Sequence, residues 1–502
     1  MKNLFTHILI FIFSATAVAQ NGEKLLNDFP KGIYDVGFKV IETYDYSRTY
    51  QKNRLDNNED SRPMQIAVWY PSRPGNNKLT LKKYIEISSR STLLVKNKLT
   101  EKEALQDFLN AAHINKVEAE RFINLHLNAS MNALHLDDTF PLVIYAPGMS
   151  ASWNDNFLLG EYLASKGYVV MASKSRGLNS IGMSATWSGV ESQTRDMEFI
   201  RSEARKLPFV DFTKTNVIGR SWGAISALLY SIRNKNVNSI TSLDGTLSYN
   251  AMTLMKDSEY PGGEYVYSPI LLAVGKNRAK TATPIDKVNY YENVKYADAY
   301  QAEYTHMPHT AFGSYFLLYH YLLRKNFGET TASNLIDGYL KNIEHVAGFL
   351  NHYNTSQKKE LWHLKSNESM QFYSKKAKSP LLLNYGDFGY QLDVYGVDSA
   401  INVYRETAKL DLSYANKELF NASYINAYAY KCLGRNNIDD ALKLLELAVE
   451  VFPNNFNLFD SLGEIKLEKG LKKEALKAYE MSLKLNPKNE NAKSMIYKLK
   501  NK

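Results

Sequence analysis

Cysteine is almost missing from this chain: Cys432 is the only one in 502 residues. No intramolecular disulfide can form, so stability has to come from the size of the core and not from covalent staples. Cys432 itself reads as a small buried residue. Long apolar runs are also missing, apart from LFTHILIFIF close to the start. No later stretch is apolar for long enough to cross a bilayer, which predicts a mature chain without a membrane span. A concentrated charge of one sign is lacking too. The formal net charge of +9 arises from lysines spread along the chain and gathered on the polar faces of the C-terminal helices, so nothing points to nucleic acid. What is present, 44% hydrophobic and 23% charged residues, is a globular composition. The length exceeds what one core holds, so two or more domains are expected.

The first residues have the zones of a secretory signal peptide: Lys2, the apolar run, then Ala17-Val18-Ala19. We therefore expect residues 1–19 to be a signal peptide, the mature chain to begin near Gln20, and the protein to be exported to the periplasm or the medium. The competing reading is an uncleaved membrane anchor, for which the run is short.

Beyond a stretch of mixed polar loops, SRPMQIAVWYPSRP holds an apolar core between prolines and reads as a strand. Residues 80 to about 135 have few glycines, many leucines and lysines, and helical spacing in EKEALQDFLNAAHINKVEAERFINLHL; they predict a helical insertion between strands. From residue 140 strands and helices alternate, through FPLVIYAPG, DNFLLGEYLASKG, YVVMASKSR, TRDMEFIRSEARKL, NVIG, GAISALLYSIR, SITSLDG and SPILLAVGK. Such alternation predicts a doubly wound α/β domain with a mostly parallel sheet, over residues 20–375.

Residues 380–502 have helical spacing without strand runs, and here the chain matches itself. DDALKLLELAVEVFPNN aligns with KEALKAYEMSLKLNPKN so that Ala475 and Pro487 each follow Ala441 and Pro453 by 34 residues. This period, with Phe459, Leu462, Gly463, Ala475, Tyr479, Ser482 and Pro487 in place, resembles tetratricopeptide repeats. A degenerate earlier copy is expected around YQLDVYGVDSAINVYRETAKL. Such repeats imply an all-α domain whose concave face could take a peptide or protein partner, or simply pack on the first domain.

The chemistry gathers at NVIGRSWGAISALLYS. Gly219-Arg220-Ser221-Trp222-Gly223 fits G-x-S-x-G, weak alone but here set between an apolar strand and an apolar helix. A nucleophile elbow needs small residues two before and two after the serine, because side chains there collide with neighbouring backbone. Gly219 and Gly223 meet that need, which makes Ser221 the candidate nucleophile. A serine hydroxyl needs a histidine base, itself oriented by a carboxylate. EYTHMPHTAFGSYF supplies His306 and His309. Asp244, at the end of SITSLDGT, is the leading acid, although Asp-Gly is also a common turn signal. Asp286 comes late. The oxyanion hole would use the backbone N–H groups of Trp222 and of Met149, the latter after Gly148 in PLVIYAPGMSASW.

Residues 62 to about 350 resemble the α/β-hydrolase fold, and within it the platelet-activating-factor acetylhydrolase and dienelactone-hydrolase-like group. The match rests on RPMQIAVWYPS, on PLVIYAPGMSASWNDNFLLGEYLASKGYVVMAS, on GRSWGA, on SLDGT and on HTAFGSY. In acetylhydrolase-like members the acid follows the strand after the elbow, which favours Asp244. Their base is followed three residues later by phenylalanine, which favours His309, with Phe312 behind it, over the alternative His306. The chain departs from the group at Pro147, where His is common, and at Arg220, where His precedes the nucleophile.

The resulting expectation is an exported serine hydrolase that cleaves carboxylic esters through an acyl-enzyme, acting on a small-molecule or lipid ester, with no metal or organic cofactor. Two rivals stay open. One is an inactive hydrolase scaffold that binds a partner through its repeats; the other is a peptidase or amidase with the same triad.

Overall fold

Alternate residues of MQIAVWY enter two different cores. Met64, Ile66, Val68 and Tyr70 pack on one side of a sheet, and Ala67 and Trp69 on the other. A strand covered on both faces reads as continuously apolar, which is why this stretch was legible. The computed structural model describes residues 29–52, 59–90, 101–111, 117, 120, 123–179, 182–234, 236–248, 251–255, 258, 266–276, 290–315, 318, 332–355, 365–377 and 384–501. Residues 1–19, expected to be a signal peptide, lie outside them.

Among the described residues eleven strands form one sheet: β1 (Asp35–Lys52), β2 (Glu59–Ser72), β3 (Lys78–Thr80), β4 (His126–Met131), β5 (Phe140–Ala146), β6 (Val169–Ser173), β7 (Val210–Arg220), β8 (Val237–Leu243), β9 (Ile270–Gly275), β10 (Ala299–Tyr304) and β11 (Met370–Lys375). Their order is β11-β10-β9-β8-β7-β5-β6-β2-β1-β4-β3. The run from β10 to β6 is parallel throughout. Antiparallel pairs close both ends, β10 with β11 and β6 with β2, and β2 continues to β1. Among the described residues six helices of nine residues or more cover the sheet or border its loops: α1 (Leu81–Ser89), α2 (Glu101–Ala111), α3 (Phe157–Ser165), α4 (Trp187–Ala204), α5 (Gly223–Arg233) and α6 (Ala332–Asn354). Two hydrophobic cores flank the sheet, one holding α3 and α6, the other α4 and α5. This is the expected α/β class with a mostly parallel sheet.

Two sequence expectations need correction. The stretch read as mixed polar loops contains β1, whose alternating polar and apolar residues pair with β2 from Asp35 opposite Ser72 to Lys52 opposite Glu59. A half-exposed strand dilutes its apolar residues with polar ones and loses the contrast that marks a buried strand. The insertion over 80–135 is not purely helical: its tail forms β4, which lies parallel to β1 and antiparallel to β3. Only a partner distant in sequence makes strands of such short segments.

The chain divides into the units Met1–Lys378 and Ser379–Lys502. The second is all-helical, with eight helices among its described residues, and has its own core. The helices Ala422–Leu433 and Ile438–Val451 are followed by Phe456–Glu468 and Lys472–Leu485, each starting 34 residues after its counterpart. Gly463 leaves room for Tyr479, whose ring would lie 2.9 Å from a Cβ there. The earlier pair, Tyr385–Val394 and Val397–Leu410, is followed by the extra helix Leu412–Glu418, which breaks the period.

Candidate active site

β7 ends at Arg220 and α5 begins at Gly223, so the chain reverses over Ser221 and Trp222. Ser221 has φ 52°, in the left-handed region, a strained conformation for a serine. The glycines on either side are required by contact. A Cβ on Gly219 would lie 2.3 Å from the Gly223 oxygen, and one on Gly223 would lie 2.1 Å from the Ala146 oxygen. No side chain fits there without moving backbone of α5 or β5. The turn is held by Ser221 N–H donating to the Leu243 carbonyl at 3.1 Å, and by the Ser221 carbonyl accepting from Thr246 N–H at 3.1 Å.

Those bonds set Ser221 beside the end of β8, where Asp244 follows. Asp244 is buried and is also left-handed, with φ 40°, a strain the sequence did not announce. Both carboxylate oxygens are occupied: Oδ1 accepts from Gly275 N–H at 2.9 Å, and Oδ2 lies 2.6 Å from His309 Nδ1. The imidazole is in the short 3₁₀ turn His309–Phe312 that follows β10, while Phe312 is buried behind it. His309, and not His306, is therefore the histidine on Asp244. With Nδ1 donating to the carboxylate, Nε2 is left as the acceptor. Among the described residues no hydrogen bond joins Ser221 Oγ to His309. Such contacts are often long without substrate.

Met149 and Trp222 sit at two facing turns, and neither backbone N–H donates to an acceptor among the described residues. Trp222 immediately precedes α5, so the positive end of that helix lies at the same point. The Met149 loop is braced by residues that the sequence reading missed. Gln193, on α4, donates from Nε2 to the Pro147 carbonyl at 2.9 Å and accepts from Ser226 Oγ at 2.8 Å. Asp155 takes Arg220 Nη1 on both oxygens, at 2.9 and 3.1 Å, and accepts from Tyr145 OH. Asn156 donates to the Phe312 carbonyl and accepts from Ser314 N–H and Tyr339 OH, which ties the histidine loop to the same segment. The signal was available: Asn154-Asp155-Asn156 is a polar run directly ahead of the wholly apolar start of α3, and all three residues are buried.

Beside this edge lies a cavity of about 330 Å³. Ile85 and Ser88 of α1, Ala104 of α2, Ala151 and Ser152 of the loop after β5, and Lys174 after β6 contribute to its wall. The insertion thus borders a cavity whose wall also includes Asp155, the partner of Arg220. The loop after Asp244 is described in part, with the short turn Thr246–Ser248 and the helix Ala251–Met255; residues 249–250, 256–257 and 259–265 lie outside the described residues.

No protein-family model matches the chain, and no curated protein does. Among the solved structures that match is one described as "Ferulic acid esterase from Streptomyces cinnamoneus", with a TM-score of 0.50 and 18% identity, over 69% of this chain and 98% of that one. At that identity the likeness establishes the fold, of the α/β-hydrolase type, and nothing finer.

Proposed function

We propose that the chain is an exported serine hydrolase acting on carboxylic esters. The observation that carries this reading is the Asp244–His309 hydrogen bond beside a left-handed serine between two glycines that tolerate no side chain. Strain of roughly 1–3 kcal/mol at such a residue persists where surrounding structure imposes it, and active sites are where it collects. The Streptomyces cinnamoneus esterase, similar in fold, agrees with the class.

In this reading Ser221 Oγ attacks the ester carbonyl while His309 Nε2 takes its proton. Asp244 holds the imidazole in the tautomer that leaves Nε2 free and stabilises the imidazolium that forms. The oxyanion receives the N–H groups of Met149 and Trp222. Collapse breaks the bond to the alcohol, which leaves with the proton from Nε2. Water, deprotonated by the same nitrogen, then releases the acid and regenerates the serine. In the helical unit, the 34-residue recurrence supports tetratricopeptide repeats, with a concave face for a peptide or protein partner.

Treating the protein with a fluorophosphonate probe and mapping the adduct by mass spectrometry tests this reading. Labelling is expected at Ser221 and is lost in Ser221→Ala, which should also lower ester turnover by about 10⁴-fold or more. A folded protein that takes no label would leave a binding scaffold. Labelling with amide cleavage as fast as that of the matching ester would favour a peptidase or amidase.

A further inference from the structure

Lys174 follows β6 directly and borders the cavity beside the candidate site. Its segment is tied to the loop that carries Met149, because Ser175 N–H donates to the Ala151 carbonyl at 2.9 Å. Among the described residues Lys174 is the only cationic side chain in the cavity wall, and no carboxylate reaches salt-bridge distance of it. The one acid in the wall among the described residues, Asp155, is already engaged by Arg220 and Tyr145. Ser152 Oγ, in the same wall, is buried with no hydrogen-bond partner among the described residues. Leaving a cation half-buried without a counter-ion is costly, and burial, with help from Arg176, lowers the Lys174 pKa. An incoming anion would relieve both effects.

We propose that Lys174 recognises a carboxylate carried by the ester substrate, so that the cavity between α1, α2 and the loop after β5 is an anion-reading subsite. The inference rests on the ester-hydrolase reading and names the substrate class for it: an ester with a second, ionised acid group a short chain away from the scissile carbonyl. The carboxylate would accept from the ammonium, and Ser152 is the neighbouring hydroxyl able to add a second donor. A lysine is suited to this as a compact point charge that needs no fixed planar partner.

Two matched ester pairs test the idea on the full chain. Para-nitrophenyl hemiglutarate against para-nitrophenyl valerate puts the charge on the acyl side; para-carboxyphenyl butyrate against para-tolyl butyrate puts it on the alcohol side. The wild type should favour the charged member of one pair by about tenfold or more in kcat/KM, chiefly through KM. The pair that responds identifies the side. In Lys174→Met and Lys174→Gln that ratio should fall to near one, while Lys174→Arg keeps part of it. Equal rates within both pairs, or a preference that survives in Lys174→Met and Lys174→Gln, would overturn the proposal. Fluorophosphonate labelling of Ser221 separates the two readings: labelled protein with no charge preference removes the subsite and leaves the hydrolase. If the wild type neither labels nor cleaves any ester, the thermal midpoint with monomethyl glutarate decides. A rise in the wild type that Lys174→Met abolishes keeps the anion site without the hydrolase, and no rise removes it.

Discussion

In the unit Met1–Lys378 the charged residues Asp45, Arg62, Asp155, Glu161, Arg176, Asp196, Glu203, Arg220 and Asp244 are all buried. In Ser379–Lys502 the buried polar residues among those described are Thr407, Ser461 and Ser482, and ion pairs such as Arg405–Glu450 and Lys443–Asp398 lie at the surface. Taking a charge out of water costs several kcal/mol, roughly, before any partner repays it. A stack of helical hairpins has no need of that expense, since each hairpin only has to cover its neighbour's apolar face. The sheet unit meets it where loops from distant parts of the chain must be held in register. Arg220–Asp155 joins the elbow to the loop that carries Met149, and Arg62–Asp196, at 2.6 Å, joins β2 to α4. Part of the buried charge here thus holds the parts that would do chemistry.

The sharpest way to break this contrast is to remove one side of the elbow's ion pair. Asp155→Asn keeps the shape but leaves the Arg220 guanidinium buried without its anion, and should cost about 3–5 kcal/mol. Chemical denaturation followed by a probe in the sheet unit measures it, with the transition of the helical unit as an internal reference. A loss below about 1 kcal/mol would mean that water already satisfies Arg220, and the idea that burial marks the site would fail with it.

Much of this arrangement was legible because glycines that nothing else can replace leave marks in a sequence. Gly219 and Gly223 were readable since no other residue fits against the Ala146 and Gly223 carbonyls, and Asp244 because it ends an apolar strand next to the elbow. The α/β order followed from strands buried on both faces. The supporting residues were harder to read. Gln193 and Asn156 act through hydrogen bonds to partners far away in sequence; Asn156 belongs to a polar run that marks its place, whereas Gln193 leaves no periodic or compositional trace. β4 escaped for the same reason, its identity as a strand being conferred by β1.

A smaller effect distinguishes a buried charge that is paired from one that is not. Glu161, on α3, is buried and its carboxyl is pushed up to about 7, first by burial, while hydrogen bonds from Tyr84 OH at 2.8 Å and Asn128 N–H at 3.0 Å act against the rise. Among the described residues no cation reaches salt-bridge distance of it. Because the folded pKa is the higher one, its contribution to stability is full below the ordinary glutamate range and is lost as pH rises through about 7. Between about pH 5 and about pH 8 this loss amounts to roughly 2–3 kcal/mol. In Glu161→Gln the amide can accept from Asn128 and donate to the Tyr84 oxygen, so the slope should disappear and the variant should overtake the wild type above neutrality. Thermal midpoints of both proteins across that range check it. Parallel pH profiles would place the slope elsewhere.

The smallest expected effect lies in the helical unit, and its smallness is the point. Arg405 and Glu450 form a two-pronged pair between the helices Val397–Leu410 and Ile438–Val451, with both side chains about half exposed. In geometry it resembles the bidentate pair of Arg62 with Asp196. Only the surroundings differ: water competes for Arg405, and ordinary salt screens it. Arg405→Ala should therefore cost under about 1 kcal/mol, and raising the salt to about 1 M should erase most of the difference, since the screening length then falls to about 3 Å. Denaturant midpoints of the helical unit at low and high salt measure both quantities. A cost comparable to that of Asp155→Asn would show that the hairpins also depend on a particular charge pair, and the division between a unit that buries charge for its site and one that stacks without it would no longer hold.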